Sequence, residues 1–172
     1  ITNLIKNNHL DKALDFINNK KDIEQKNIIL NLKGIIYLKK KNYKLAKESF
    51  LESIKNNENF LDPYKNLYLL NLNHQNFNEA INYAKKITQL EENHKPESFF
   101  KLAYACEMNG NLNEAIKYYE YSDIIGFEDK KLLYNNLGNI FLTLDKLDRS
   151  EDYFLKALNL DKNNVIITNN LL

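Results

Sequence analysis

The chain has 172 residues, 44% of them hydrophobic, with 24 lysines and arginines against 23 aspartates and glutamates. That length is enough for one substantial core, and the balanced charge excludes general affinity for nucleic-acid backbones. With only 4 glycines and 2 prolines an all-β sandwich or barrel is excluded, and no apolar run approaches the roughly 20 residues of a membrane span.

Residues 1–26 hold one amphipathic stretch, LDKALDFI from Leu10, the second helix of a unit whose first helix is cut short near Ile1. Residues 27–60 hold two such stretches, LNLKGIIY from Leu30 to Tyr37 and YKLAKESF from Tyr43. Residues 61–95 repeat the arrangement with YKNLYLLN, Tyr64 to Asn71, and FNEAINYA from Phe77. Asp62 reads as an N-cap, and Pro63 as the start of a helix, where its missing N–H costs nothing. Residues 96–130 follow Pro96 with FFKLAYAC, Phe99 to Cys106, and LNEAIKYY from Leu112. Residues 131–164 carry YNNLGNIF, Tyr134 to Phe141, and LDRSEDYF from Leu147. The last stretch, VIITNNLL over residues 165–172, starts a further or capping helix, and its Ile166, Ile167, Leu171 and Leu172 need cover. Apolar residues recur at three- and four-residue steps throughout, which is helical spacing. Each unit is therefore helix A, a short polar turn, and helix B.

The units share one register. A small residue stands at Ala13, Ala46, Ala80, Ala115 and Ser150, at steps of 33, 34, 35 and 35. Three places before each comes a large apolar residue: Leu10, Tyr43, Phe77, Leu112 and Leu147. The small residues mark where helix B crosses helix A closely. Large ones such as Tyr37, Phe50, Phe99, Tyr119, Phe141 and Phe154 fill the gaps between hairpins. No hairpin buries its apolar face alone, so neighbours must stack.

This register resembles that of the tetratricopeptide repeat family, W-x2-L-G-x2-Y…A-x3-F…P over 34 residues. Tyr134, Leu137, Gly138, Phe141, Ser150, Phe154 and Ala157 follow it most closely; Leu30, Gly34, Tyr37, Ala46 and Phe50 follow it too. Tyr64, Leu67, Ala80 and Ala84, then Phe99, Leu102, Ala103, Ala115 and Tyr119, give two more copies. The closing proline is replaced by Glu58, Glu92, Phe127 and Lys162. The resemblance implies an all-α fold, a right-handed superhelical α-solenoid of antiparallel helix-turn-helix repeats. We expect one repeat domain over 1–172, divided at the boundaries above. It also implies a non-enzymatic scaffold that holds a protein or peptide in the concave groove lined by the A helices.

Carried onto this chain, the inner face of the family comprises residues one and two before the leucine of the leucine-glycine pair, and two after it. The candidate groove residues are Asn31, Lys65, Asn66, Phe100, Lys101, Tyr104, Asn135, Asn136 and Asn139, with Asn169 and Asn170 in the last stretch. An amide offers donors and an acceptor together and can pair with any peptide backbone. The recurring asparagines resemble the ladder in the repeat region of O-linked N-acetylglucosamine transferase, interrupted at Leu32 and Lys101. Phe100 and Tyr104, one turn apart, either anchor an apolar side chain of a bound peptide or pack on the neighbouring helix. Ile35, Leu38, Leu69 and Leu72 make the face less polar than usual. The family's lysine/asparagine clamp for a C-terminal carboxylate is broken: Lys65 fits it, but Leu69 and Lys101 stand where asparagines are required.

Nothing in the pattern supports catalysis, a cofactor or a metal. His9, His74 and His94 fall in turns, no glycine-rich phosphate loop exists, and Cys106 takes a core position as a buried thiol. As the sole cysteine it can form neither an intrachain disulfide nor a zinc cluster. No leader is visible, and we expect a cytoplasmic location. The start at Ile1 reads as a segment of a longer protein. Two further readings stay open: a repeat arm that recruits substrate for a larger enzyme such as a glycosyltransferase, and end-to-end self-association through the apolar tail.

Overall fold

The structure, a computed structural model, describes residues 1–19, 25–161 and 170. Among them lie ten α-helices and no strand: α1 (Thr2–Lys6), α2 (Leu10–Asn19), α3 (Lys26–Lys39), α4 (Tyr43–Asn56), α5 (Leu61–Asn73), α6 (Phe77–Leu90), α7 (Pro96–Met108), α8 (Leu112–Ile124), α9 (Lys130–Thr143) and α10 (Leu147–Leu160). They fall into two compact units, Ile1–Leu90 and Glu91–Leu172. In the first, α3 packs along α4 and α5 along α6, α4 meets α5, and α2 lies between α1 and α3. In the second, α7 packs along α8, α9 along α10, and α8 meets α9. Each expected A/B hairpin is present. The helix expected over 165–172 lies, Asn170 apart, outside the described residues.

The turn from helix A to helix B has one geometry throughout. Asn8, Lys41, Gln75, Gly110 and Asp145 sit five places before the small residue of helix B, with φ of 57°, 59°, 59°, 79° and 57°. Helix A unwinds there into a Schellman motif. In the α3–α4 turn the Asn42 N–H donates to the Tyr37 carbonyl at 2.9 Å and the Lys41 N–H to that of Leu38 at 2.9 Å. The same pair of bonds recurs at the other four turns. These bonds satisfy carbonyls at the helix end that have no partner within the helix.

Two helix starts carry a side-chain cap. The side chain of Asn42 accepts from the Leu45 N–H at 3.2 Å, and that of Asp129 from the Leu132 N–H at 3.0 Å. Asp62 departs from expectation. The helix begins earlier, at Leu61 behind Phe60, and Asp62 and Pro63 lie inside its first turn. Proline is tolerated there because first-turn N–H groups have no intrahelical partner, and the Asp62 carboxylate gains the favourable end of the helix dipole instead. Pro96 opens α7 as expected.

The core explains the period. Ala13, Ala46, Ala80, Ala115 and Ser150 are all buried. A second pairing, sixteen residues apart, matches a position in helix A to one in helix B: Gly34 with Phe50, Tyr68 with Ala84, Ala103 with Tyr119, Gly138 with Phe154. All eight are buried. A methyl group on Gly34 would fall 2.4 Å from Phe50 Cε1, and one on Gly138 2.5 Å from Phe154 Cε1. Real carbon atoms do not approach so closely, so an aromatic ring of helix B lies flat on bare helix A backbone. Where helix A carries tyrosine, helix B carries alanine. Three hairpins add a polar tie from helix B to a helix A carbonyl: buried Ser53 donates to Asn27 at 2.6 Å, Ser122 to Pro96 at 2.8 Å and Ser150 to Gly138 at 2.9 Å.

Candidate functional site

The nine candidate residues all lie on A helices. In the first unit Asn31 belongs to α3, and Lys65 and Asn66 to α5. Asn31 is only 4% exposed, and its amide oxygen accepts from Asn66 Nδ2 at 2.9 Å. Lys65 and Asn66 are half-buried. In the second unit the same bond recurs at equivalent register positions: Asn170 Nδ2 donates to Asn135 Oδ1 at 3.3 Å, and also to Asn139 Oδ1 at 3.3 Å. The Asn31–Asn66 bond thus links the neighbouring A helices α3 and α5. Asn169 lies outside the described residues.

The aromatic pair separates into two roles. The Phe100 ring stacks on Phe127, centroids 4.3 Å apart and planes 6° apart, and meets the edge of Tyr119 at 5.1 Å. Its area is therefore committed to internal packing. Tyr104, a turn later, is 37% exposed. Lys101 lies between them on α7 and is half-buried.

Asn136 joins a chain of hydrogen bonds that the sequence did not reveal. Its Nδ2 donates to the Tyr119 hydroxyl at 3.0 Å, and that hydroxyl donates to Glu107 Oε2 at 2.7 Å. Burial pushes the Glu107 carboxyl above its usual value of 4.5, partly offset by the Tyr119 bond. The signal was present at Tyr119, where Phe50 and Phe154 fill the same place without a hydroxyl. A buried phenol needs a polar partner, and the partner is one turn beyond Ala103 on the facing helix.

Beside this chain is an open cleft of about 440 Å³, lined by Glu107 and Met108 at the end of α7, Leu112 at the start of α8, and Asn139, Ile140 and Thr143 of α9. Of the candidate residues, Asn139 reaches it. His74 packs on the Tyr43 ring at 4.5 Å and His94 on Phe99 at 6.0 Å. Cys106 is buried in α7, and among the described residues no cluster of three or more potential metal ligands occurs. No described helix is long and apolar enough to cross a membrane.

No curated protein matches the sequence. Solved structures do resemble the fold. The crystal structure of YrrB, described as a TPR protein with an unusual peptide-binding site, superposes with a TM-score of 0.81 at 18% identity, over 98% of this chain and 86% of that one. MamA of Desulfovibrio magneticus RS-1 superposes with a TM-score of 0.79 at 14% identity, over 95% and 92%. In the APC/C hetero-tetramer Cut9–Hcn1 the likeness has a TM-score of 0.67 at 20% identity, over 98% of this chain and 33% of the other. The tetratricopeptide repeat profile matches residues 29–60, 96–120 and 133–164, more than half of the sequence. The chain belongs to the tetratricopeptide repeat family.

Proposed function

We propose that this protein is a non-enzymatic interaction scaffold that holds a peptide or protein segment along the face of its A helices. The observation that carries the reading is in the second unit. There Tyr104 is exposed on α7, one turn before the cleft residues Glu107 and Met108, and α9 carries the amide groups of Asn135 and Asn139. An exposed aromatic ring with amide donors and acceptors nearby suits an extended peptide, whose backbone needs hydrogen-bond partners and whose side chains need an anchor. The likeness to YrrB supports this, because that protein carries a peptide-binding site.

The test is an immobilised peptide library probed with the purified chain, followed by calorimetry on the peptides retained. Tyr104→Ala and Asn139→Ala are expected to weaken those peptides at least ten-fold. In the first unit, Lys65→Ala and Asn66→Ala probe the A-helix face of that unit. Captured peptides that tolerate all four changes would remove the A-helix face as the site.

A further inference from the structure

The cleft at the end of α7 has a chemical preference of its own. Its walls include Met108, Leu112 and Ile140, which offer apolar surface, and it contains Glu107, Asn139 and Thr143, which offer oxygen acceptors. Among the described residues no lysine or arginine lines it, and no ion pair involves Glu107. One carboxylate oxygen of Glu107 accepts from Tyr119. The Thr143 hydroxyl donates to the Asn139 backbone carbonyl at 2.9 Å, which leaves its oxygen lone pairs available. A half-buried anion with no cation, walled by apolar side chains, complements a long side chain with an aliphatic stem and a positive head.

We infer that this cleft is a subsite for a basic side chain, lysine or arginine, of a peptide laid along α7 and α9. The inference rests on the scaffold reading above and names the chemistry of one position in its ligand. The stem lies on Met108, Leu112 and Ile140. The head meets Glu107, and the Asn139 and Thr143 oxygens accept its remaining protons. The Asn136–Tyr119–Glu107 chain fixes the carboxylate in place, so little side-chain freedom is lost when the cation arrives. Burial of the carboxyl strengthens the pairing, because a desolvated charge gains more from an opposite one than a hydrated charge does.

The test uses small probes and so does not depend on finding the peptide. The ¹⁵N-labelled full chain is titrated with n-butylguanidinium, n-butylammonium and, as the neutral control, n-butylurea. Saturable shifts are expected for a cation at the amides of residues 107–112 and 139–143, and none for the urea. Guanidinium binding tighter than ammonium assigns arginine; the reverse assigns lysine. Glu107→Gln should weaken the cation at least ten-fold, and Thr143→Lys, which places a charge in the cleft from an exposed position, should abolish it. Equal shifts with the urea, shifts that never saturate, or unchanged binding in Glu107→Gln would overturn the inference. The two readings fail separately. Captured peptides whose basic residues can all be replaced by norleucine without loss would sink this subsite and leave the scaffold. A cation that seats while the library captures nothing would keep the subsite and sink the peptide role.

Discussion

Replacing Gly34 with alanine should give opposite results in two backgrounds. In an ordinary helix interior the change adds about 0.8–1.0 kcal/mol of stability, since alanine loses less conformational freedom on folding. Here the new methyl group would sit 2.4 Å from Phe50 Cε1, 2.6 Å from Cδ1 and 2.8 Å from Cζ. The ring is fully buried and cannot swing into solvent, so helix A or the ring must shift. Overpacking of this kind costs about 1–3 kcal/mol. The net effect in the native protein is a loss of up to about 2 kcal/mol.

Phe50→Val removes all three ring atoms that the methyl would strike. That variant is itself destabilised, by less than the about 3–5 kcal/mol typical of truncating a buried phenylalanine to alanine. In its background Gly34→Ala should show the full helix gain of about 1 kcal/mol. The coupling energy between the two changes is then about 1–3 kcal/mol, within the range for residues in contact. Urea unfolding of the four proteins, followed by circular dichroism at one common temperature, measures it. If Gly34→Ala stabilises both backgrounds by the same amount, the flat contact of ring on backbone does not control this hairpin.

Three other changes test separate parts of the structure. Lys41→Gly removes the strain of a side chain at a φ of 59°, and should raise the urea midpoint by an amount equivalent to about 1 kcal/mol. Ala115→Leu, at a fully buried crossing of α8 and α7, should lower the melting temperature through overpacking of about 1–3 kcal/mol. Glu107→Gln tests the buried carboxyl. Because burial raises its pKa in the folded state, the ionised form opposes folding at neutral pH, and that penalty is relieved as pH falls through the raised value. The glutamine variant should therefore melt higher than the native chain at pH 7, with the gap closing toward the usual carboxylate value of 4.5; a gap that widens on acidification would contradict the assigned direction.

The fold was legible because its period is written in side-chain volume. Small residues at Ala13, Ala46, Ala80, Ala115 and Ser150 recur for a steric reason, and steric reasons survive in a bare sequence. The turns were less legible. Four of the five left-handed positions in the turns from helix A to helix B are filled by Asn8, Lys41, Gln75 and Asp145 rather than glycine. A polar residue there signals a turn but not its geometry, which the Schellman bonds impose from the helix that precedes it. Asp62 was misread as a cap because proline marks a first turn without fixing which residue of that turn it is. At the site, the register placed the candidates on the A helices but could not say which side chains were already engaged. Phe100 is taken up by Phe127, a residue in the loop beyond α8 that no helical periodicity brings near it. Glu107 escaped notice because a lone glutamate near a helix end looks like solvated surface until the Tyr119 hydroxyl is placed against it.

The hairpin of α5 and α6 shows what the repeat conserves. The family profile matches residues on both sides of it and passes over 61–95, yet the hairpin is there. Position by position it breaks the pattern, with Tyr68 where glycine or alanine stands elsewhere and Ala84 where an aromatic ring stands elsewhere. Taken as a pair the two positions keep it, one large side chain and one small. Close packing constrains the volume summed across an interface rather than the residue on either side. A profile that scores each column alone loses credit twice for this exchange, although the packing loses nothing. The asparagines follow the same logic. Asn66 with Asn31, and Asn170 with Asn135, occupy equivalent places and satisfy one another, so their recurrence is explained in part by neighbouring repeats holding each other. What is left for a ligand is the hydrogen-bonding capacity each amide has not spent on its neighbour, together with the exposed Tyr104 ring and the Glu107 cleft, which no internal packing requirement accounts for.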